Sequence, residues 1–542
     1  MRYFFYIYFL AILLISCNQK QKADSIFYHA RIYTIDSVDS RATAFAVKDG
    51  KIIAVGFDKK IINDFDAAEK VDLQNNFVYP GLIDAHSHFY GLGVFQQSVD
   101  LTETKSWDEV IQKCSTYFQT HQNNYLIGRG WDQNKWPNKN YPNNDELNKL
   151  FPNIPVLLKR VDGHAAIAND FLLNQAAISL KTKISGGEVL SINNKITGVL
   201  IDNAVDLVQQ KMPHLSLQQK IDALKTAEKI CFENGLTTIC DAGLDKEMID
   251  LIDSLQKCNQ LSIRVYAMIN ADEKNLNYYL KIKPYKTDKL NAGSFKMYAD
   301  GSLGSRGAAL LQPYSDMHNH YGFLLNSIAD LEKIVKRISA SSYQLNTHCI
   351  GDSANRLVLK LYAKYLKVKN DKRWRIEHAQ VINENDFEIY KQFSIIPSVQ
   401  PTHATSDMYW ASGRLGNERI KNAYAYKKLL NQNGWLPLGT DFPVESVNPF
   451  YTFYAAIARK DAHQFPENGF QNENALTREE ALKGMTIWAA KAAFEEHEKG
   501  SLELGKFADF IVLKFDLLKD DLSVIRNTKP ELVYINGVNA IH

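Results

Sequence analysis

Apolar and polar residues recur with two different periods along the chain, and the change of period divides it into parts. A period of two, typical of β-strands, occurs near the start in "FYHARIYTID", "ATAFAVKDGKIIAVG" and "KVDLQNNFVYP", and near the end in "FADFIVLKFD" and "ELVYINGVNAI". Asp49-Gly50 and Asn536-Gly537 supply hairpin turns in these segments. Because neither end has enough strands to bury a face alone, we predict one small β-sandwich from residues 28–78 and 495–542.

The middle of the chain alternates apolar runs with helical stretches such as "LSLQQKIDALKTAEKICFENG" and "SIADLEKIVKRISASSYQ". This alternation predicts an α/β domain with a parallel sheet. Eight runs have the composition of its strands: "FVYPGLIDAH", "GLTTICDAG", "IRVYAMIN", "SFKMYADGS", "QLNTHCIGD", "WRIEHAQ", "SIIPSVQPTH" and "WLPLGTDFPV". Eight strands separated by helices predict a (β/α)8 TIM barrel over residues 79–494, with its active site at the carboxyl ends of the strands.

A segment of about residues 91–213 does not fit this alternation. It contains the strand-like runs "NYLIGRGWD" and "IPVLLKRVDGHAAIAND" and is far too long for an ordinary connection between a strand and a helix. We predict an inserted subdomain after barrel strand 1, lying over the barrel mouth. The alternative, with "VLLKRVDGH" as barrel strand 2, would give nine strands.

The first residues, "MRYFFYIYFLAILLISC", have the layout of an export signal: basic Arg2, an apolar stretch too short to span a bilayer comfortably, and a small-residue ending. The ending resembles the bacterial lipobox, which implies a signal peptide over residues 1–17, lipidation of Cys17 and a flexible tether over residues 18–27. The protein is then expected in the bacterial cell envelope, lipid-anchored on the periplasmic side or the outer membrane. The alternative is a plain secretory signal with a chance cysteine.

The charge of the chain indicates which kinds of partner to expect, and its cysteines indicate whether disulfides form. The formal net charge is +2 and no long run of one sign occurs, so nucleic acid and anionic membrane surfaces are not implied as partners and a small-molecule substrate is expected. The other five cysteines show no paired spacing and are predicted to be small buried side chains rather than disulfides. The sequence leaves the oligomeric state open, a homodimer included.

The candidate chemistry begins with His86 and His88 in "YPGLIDAHSHFYG". Two residues apart at the end of a strand, they point to the same face and form half of a metal site, although one such pair among 14 histidines could be incidental. Further polar residues fall at the carboxyl ends of the other runs: Lys296, Asp300, His348, His378, Gln400, His403 and Asp441. Imidazole and carboxylate groups suit zinc and similar divalent ions.

The sequence motifs that contain these residues resemble those of the amidohydrolase superfamily, in particular the amidohydrolase family 3, YtcJ-like group. The resemblance extends from about Tyr28 to Val538 and rests on "PGLIDAHSH", "RVDGHAAIAN", "FKMYADGSLGSRGAAL", "THCIGD", "RIEHAQ", "SVQPTHA", "PLGTDFPV" and "KGSLELGKFADFIVL". It implies a (β/α)8 barrel flanked by a β-sandwich, in agreement with the periodicity, and a metal-dependent hydrolase.

The resemblance also implies the ligands of one or two ions of zinc or a similar metal. His86, His88 and Asp441 would hold one ion, and His348 and His378 the other. Lys296 would bridge them after reaction with carbon dioxide, since a free ammonium group has no acceptor for a cation. The alternative for Lys296 is an ion pair with Asp300.

Charge determines the expected chemistry. Bound cations would lower the pKa of a water to near neutrality, and Asp441 would take its proton and return it to the leaving group. The expected reaction is cleavage of a C–N bond other than a peptide bond, in an amide, an N-formyl or N-acyl amine, or a cyclic amide. The alternatives are a deaminase or esterase on the same centre, or an inactive solute-binding protein of the envelope.

Weaker candidates for substrate contacts each have a plain structural alternative. His164 and Asp162, near Arg160, match a family stretch but could form only a turn, and Arg306 could bind a carboxylate or brace a loop. Trp131, next to Asp132, could line the cavity mouth or only pack. Gln400 and His403 could contact the substrate or support the metal ligands.

Overall fold

A computed structural model describes residues 20–121 and 123–541 of the 542. Cys17, and with it the predicted lipidation site, lies outside the described residues. The N-terminal part consists of seven strands and one helix: β1 Gln21–Tyr28, β2 Arg31–Tyr33, β3 Arg41–Ala42, β4 Ala44–Lys48, β5 Lys51–Gly56, α1 Asp58–Asp64, β6 Phe65–Asp72 and β7 Phe77–Pro80.

The prediction of a flexible tether over residues 18–27 is wrong for residues 21–27, because strand β1 begins at Gln21. β1 pairs with β4 on one side and β6 on the other, so both of its edges are hydrogen-bonded. Ile26 and Phe27 are buried, and burial of these side chains offsets the cost of ordering the segment.

Barrel strand β8 (Leu82–Ser87) and helix α2 (Phe89–Phe95) precede the insertion. The insertion contains β9 Val99–Asp100, α3 Trp107–His121, β10 Leu126–Trp131, α4 Asp145–Leu150, β11 Val156–Arg160, β12 Ala165–Ala168, α5 Asp170–Gln175, β13 Gly187–Ile192, β14 Lys195–Asp202 and α6 Asn203–Gln209. Its strands form a separate six-stranded sheet in the order β13-β14-β12-β11-β10-β9. Each face of that sheet packs on its own apolar cluster, so β11 is not a barrel strand.

The chain then returns to the barrel. Its strands and helices are α7 Leu217–Glu233, β15 Leu236–Leu244, α8 Lys246–Lys257, β16 Arg264–Asn270, α9 Glu273–Tyr279, β17 Tyr285–Lys286, β18 Leu290–Tyr298, α10 Ile328–Ser339, β19 Gln344–Cys349, α11 Asp352–Tyr365, β20 Arg375–His378, α12 Phe387–Gln392, β21 Ile396–Ser398, α13 Pro401–Asp407, α14 Ala411–Arg419 and α15 Tyr426–Asn433. Six of these strands and β8 pair in parallel in the order β8-β15-β16-β18-β19-β20-β21, with short β17 antiparallel to β18.

Residues 436–441 complete the barrel as its eighth segment, although they do not form a regular strand. On one side, the amide of Ala85 in β8 donates to the carbonyl of Leu438 at 3.1 Å. On the other, the amide of Gly439 donates to the carbonyl of Val399, directly after β21, at 3.0 Å. The segment therefore closes the gap between the first and last strands.

Asp84 and Gly439 hold this closure together. The buried Asp84 carboxylate accepts hydrogen bonds from the hydroxyl of Thr440 at 2.6 Å and from the amide of His86 at 3.0 Å. A side chain at Gly439 would place its Cβ 2.5 Å from the amide nitrogen of His86, so only glycine permits this approach. Both contacts fix the backbone beside the candidate ligands His86 and Asp441.

The C-terminal part returns to the sandwich. It consists of α16 Pro449–Ala458, α17 Arg478–Gly484, α18 Ile487–Ala492, β22 Phe510–Leu513, α19 Leu522–Arg526, β23 Leu532–Ile535 and β24 Val538–Asn539. The two sheets have the orders β5-β4-β1-β6 and β24-β23-β22-β7-β2-β3, so the second combines strands from both ends of the chain. Phe27, Phe45 and Phe510 pack between them with ring centroids 4.8 to 5.1 Å apart.

The predicted fold class, a TIM barrel with a two-ended β-sandwich and an insertion after strand 1, is confirmed. Within residues 20–121 and 123–541, every helix is too short or too polar to cross a bilayer.

Candidate metal centre and substrate cavity

A cavity of about 710 Å³ lies between the carboxyl ends of the barrel strands and the insertion. All six predicted metal ligands line it. His86 and His88 come from the end of one strand, and each of the other four comes from the end of a different barrel segment. The six are His86, His88, Lys296, His348, His378 and Asp441. The structure therefore brings together side chains that are up to 355 residues apart (441 − 86).

His86, His88 and Asp441 form the tightest group. The Oδ1 atom of Asp441 lies 3.2 Å from Nε2 of His88 and 3.7 Å from Nε2 of His86. This oxygen is buried, and no hydrogen bond of good geometry reaches it from the described residues. Buried polar atoms are rarely left without a partner. Two imidazole nitrogens and a carboxylate oxygen within 4.8 Å of one another are a donor set that fits a divalent cation.

A second group of possible ligands shares Asp441. It combines His378, His403 and Asp441, with donor atoms again within 4.8 Å. His348, the predicted partner of His378, lies beside it with ring centroids 4.5 Å apart. The Nε2 atom of His348 is buried without a hydrogen-bond partner among the described residues. His403 was predicted as a support or substrate contact, and in this group its Nε2 faces Asp441.

Lys296 and Asp300 do not form the alternative ion pair. Asp300 accepts hydrogen bonds from the amides of Ala309, Ile350 and Gly351 at 2.8 to 3.0 Å. The Nζ atom of Lys296 lies 3.4 Å from Nε2 of His86, and no carboxylate of the described residues comes within 4 Å of it. Burial lowers the pKa of Lys296 to about 8, although charges such as Glu377 and Asp441 favour its protonated form. A large share of the amine is therefore neutral near pH 8.

Two acceptors behind the histidines fix which ring nitrogen faces the cavity. Nδ1 of His86 donates to Glu377 at 2.5 Å, and Nδ1 of His378 donates to the amide oxygen of Gln400 at 2.8 Å. In each ring Nε2 is then left with its lone pair. Such partners orient metal-binding histidines and make them more basic ligands. Gln400, one of the predicted supports, has this position rather than one on the cavity wall.

Three histidines at the centre, His86, His348 and His378, are uncharged near neutral pH. Burial, reinforced by the Lys296 charge, lowers the pKa of His86 to about 4. Burial also holds the pKa values of His348 and His378 well below the usual value. The Glu377 carboxylate stays ionised because Arg375 and His86 lower its pKa more than burial raises it. Neutral imidazole is the form that binds a metal ion.

His403 holds the other oxygen of Asp441. Its Nε2 lies 3.2 Å from Oδ2 of Asp441, and its Nδ1 lies 3.1 Å from Glu445. Burial alone would favour a neutral Asp441, but the hydrogen bond from His403 and the close approach of the His88 ring outweigh it and hold the pKa of its carboxyl well below the usual range. Asp441 is therefore an anion aimed into the cavity.

Two candidate ligands have unusual backbone conformations. His378 has φ 72° and Asp441 has φ 62°, in the left-handed region that residues other than glycine rarely adopt. Such strain is concentrated at functional sites. Both side chains face the cavity from these conformations.

The insertion supplies the predicted contacts His164 and Asp162, and both line the cavity. Nδ1 of His164 lies 2.5 Å from Oδ1 of Asp202. Asp162 accepts from Arg160 at 2.6 Å and from the hydroxyl of Ser302 at 2.5 Å. The two side chains thus have defined partners and still face the site.

Two predicted substrate contacts are corrected by the structure. Trp131 is fully buried, and its Nε1 donates to the carbonyl of Leu158 at 2.9 Å, because a register shift between Arg129 and Trp131 breaks the alternation of β10. Arg306 binds Asp316 at 2.9 Å and braces a loop instead. Neither side chain lines the cavity, although Asp132, next to Trp131, does.

Some residues of the site were not predicted. Glu377 lies in "RIEHAQ" directly before His378. The motif contains this glutamate, but only the histidine was assigned a role from the sequence. Arg129 and Lys159 line the cavity from the insertion, and the sequence gives them no more than two basic positions in strand-like runs.

Comparison with known proteins identifies the family. A profile described as "Amidohydrolase family" matches residues 69–540. The chain is 31% identical over 510 residues to "Protein LONG AFTER FAR-RED 3" of Arabidopsis thaliana (91% of this chain, 87% of that protein). It is 29% identical to "Putative amidohydrolase YtcJ" of Bacillus subtilis (95% and 98%) and 24% identical to "N-substituted formamide deformylase" of Arthrobacter pascens (96% and 98%).

Among solved structures, an uncharacterized metal-dependent hydrolase from Pyrococcus horikoshii superimposes with a TM-score of 0.76 at 26% identity. The match covers 92% of this chain and 99% of that one. The profile match over residues 69–540, the relatives and this shared fold agree with the geometry of the cavity. The chain belongs to the amidohydrolase family.

Proposed function

We propose that this hydrolase is a metal-dependent amidohydrolase that cleaves the C–N bond of an amide, an N-formyl or N-acyl amine, or a cyclic amide. The observation that carries the proposal is the group of His86, His88 and Asp441, whose Oδ1 atom faces two imidazoles without a hydrogen-bond partner of good geometry. The similarity to a protein named N-substituted formamide deformylase supports the formamide class in particular.

His86, His88 and Asp441 would hold one ion, and His348 and His378 would hold the other. Zinc or a similar divalent metal, as one or two ions, would lower the pKa of a coordinated water and polarise the substrate carbonyl. Lys296 would join them as a carbamate: its neutral Nζ attacks carbon dioxide, an N–C bond forms and one proton is released. The buried amine without a carboxylate partner supports this reaction.

The protein's own residues would then move the proton. Asp441, ionised and held at Oδ2 by His403, accepts a proton from the attacking water and delivers it to the leaving nitrogen. Glu377 and Gln400 keep the two imidazoles in place throughout. Asp162 and His164 approach from the insertion and are positioned to contact the substrate beside the reacting carbonyl.

The experiment is a hydrolysis screen of the purified protein against N-formyl amines, N-acyl amines, cyclic amides, aminated rings and esters, with zinc added or removed by a chelator. We expect release of an amine or ring opening that zinc restores after chelation. Turnover of only aminated rings or esters would shift the assignment to a deaminase or esterase. Ligand binding without any turnover would contradict hydrolysis and favour a solute-binding protein.

We also propose that the protein is anchored in the bacterial cell envelope through a lipid on Cys17. Because β1 begins at Gln21, the anchor would place the sandwich within a few residues of the membrane. Labelling of the expressed protein with a fatty acid should require Cys17, and labelling that persists in Cys17→Ser would contradict the anchor.

A further inference from the structure

Two positively charged side chains of the insertion face the cavity without an acidic partner. Arg129 on β10 and Lys159 on β11 are register partners in adjacent parallel strands, and both line the cavity that holds the candidate metal ligands. Directly opposed residues of neighbouring strands lie on the same face of the sheet. Among residues 20–121 and 123–541, no carboxylate comes within 4 Å of either group.

The rest of that sheet face is apolar. The preceding residues of the two strands on this face, Ile127 and Leu157, pack in the apolar cluster formed with α5 and α6. The face therefore changes from aliphatic to doubly cationic at the point where it reaches the cavity. If this face only packed against the rest of the insertion, further aliphatic residues would serve in place of Arg129 and Lys159.

The Arg129 guanidinium keeps donors available. Its Nη2 donates to the carbonyl of Val161 at 3.2 Å, while its Nε is buried without a hydrogen-bond partner among the described residues. Gly163, with φ +75°, lies beside it: a Cβ there would be 3.3 Å from Nη2. The missing side chain leaves room next to the guanidinium.

The two charges disfavour one another. Burial and the neighbouring Arg129 charge lower the pKa of Lys159 to about 8, against the opposing effect of Asp206. Asp206 is exposed and makes no ion pair within 4 Å in the described chain. Arg160, the next residue, differs in that Asp132 and Asp162 both bind it. An anion between Arg129 and Lys159 would relieve the repulsion.

We propose that Arg129 and Lys159 form an anion-binding subsite that holds a carboxylate of the substrate while the barrel residues act on its amide bond. Arginine can bind a carboxylate with two parallel hydrogen bonds, and lysine adds a point charge. The identification of this anion as part of a substrate rests on the proposed hydrolysis, but binding of a carboxylate at the subsite does not require turnover.

The test compares two matched series of ligands by isothermal titration calorimetry on the full-length, metal-loaded protein. One series consists of ω-(formylamino) carboxylic acids of increasing chain length, and the other of the corresponding primary carboxamides. We expect the carboxylate of at least one length to bind about 10- to 100-fold more tightly than its carboxamide, the range of a charge-assisted contact. Each of Arg129→Met and Lys159→Met should remove most of this preference while leaving the affinity for the carboxamide within about twofold.

Lys195→Met is the control for loss of one positive charge. Lys195 begins β14, whereas the cavity is reached at the other end of that strand by Asp202, and its ammonium group pairs with Asp145 on the surface. This variant should keep the full preference. If Arg129→Met does not fold, as judged by near-ultraviolet circular dichroism, Arg129→Lys takes its place. This variant keeps the charge but loses the paired hydrogen bonds, so it should also lower the preference for the carboxylate.

Equal binding of carboxylate and carboxamide at every length, or no detectable binding of any carboxylate, would overturn the subsite. Preference retained in both the Arg129 and the Lys159 variants would do the same. Preferential binding without hydrolysis would overturn the proposed hydrolase and leave the subsite standing. Hydrolysis of both series at equal kcat/KM would leave the hydrolase standing and overturn the subsite.

Discussion

The two walls of the cavity are organised differently. On the barrel wall, the polar groups are oriented from behind: Glu377 holds His86, Gln400 holds His378 and His403 holds Asp441. Their free atoms all face the cavity. On the insertion wall, most charges neutralise one another within the wall, as Arg160 does for Asp132 and Asp162.

With the proposed function, this difference would separate catalysis on the barrel wall from substrate selectivity on the insertion wall. A reactive centre requires donor atoms that are aligned and left without protein partners, which the rigid strand ends provide. Recognition of a substrate requires charge and shape that can vary without disturbing that centre, which an inserted sheet provides. Changes on the barrel wall should therefore abolish turnover or metal binding, and changes on the insertion wall should alter stability or affinity.

Asp441→Asn should have the largest effect. The amide cannot accept the proton, and it is a poorer ligand, so hydrolysis should fall by at least about 10²- to 10⁴-fold, with the circular dichroism spectrum unchanged. The measurement is kcat on the best substrate of the screen. His348→Ala should also abolish hydrolysis, and full activity in either variant would contradict the role of the barrel wall.

Arg160→Met should destabilise the protein instead. It leaves Asp132 and Asp162 buried without their cation, which costs about 3–5 kcal/mol when one partner of a buried pair is removed. Denaturant unfolding measures this cost. Lys195→Met, which removes an exposed pair with Asp145, should change stability by less than about 1 kcal/mol and serves as the control. Equal effects would show that the Arg160 network is not important for stability.

Gln400→Leu should weaken metal binding by about 10- to 100-fold, because Nδ1 of His378 loses its acceptor and the ring its fixed orientation. Competition with a chelator measures the affinity. Gln400→Glu keeps an acceptor at the same place and should lose less. An unchanged affinity in Gln400→Leu would mean that packing alone orients His378.

Lys159 should give the smallest effect, a pH dependence of stability. Its pKa is about 8 in the folded protein and about 10.4 in an unfolded chain, so between these values the unfolded state binds more protons and folding becomes more favourable as pH rises. The gain in melting temperature of Lys159→Met over the unchanged protein should therefore be largest below about pH 8 and decline toward pH 10. A gain independent of pH would indicate a packing effect.

The fold and the ligand set follow from patterns that strands impose locally. Alternation puts His86 and His88 on one face, and the turn residues Asp49-Gly50 and Asn536-Gly537 lie between paired strands in the structure. Eight apolar runs were enough to predict the barrel. The last run is identifiable by composition even though residues 436–441 contact their neighbours only irregularly.

The remaining features depend on departures from these patterns. A register shift in β10 sends Trp131 into the core, and His378 and Asp441 face the cavity from backbone conformations with positive φ angles. Glu377 adjoins His378 in β20, and alternation would keep only one of the two near the site, yet both are there. Long-range partners, such as Asp316 for Arg306, have no local signature in the sequence.

The most direct test of the central claim is an anomalous difference map at the zinc edge from crystals grown with zinc. The arrangement of the barrel wall predicts a peak about 2.0–2.2 Å from Nε2 of His86, Nε2 of His88 and Oδ1 of Asp441. A cavity without an anomalous peak, or zinc bound only elsewhere on the protein, would contradict a metal centre formed by these residues.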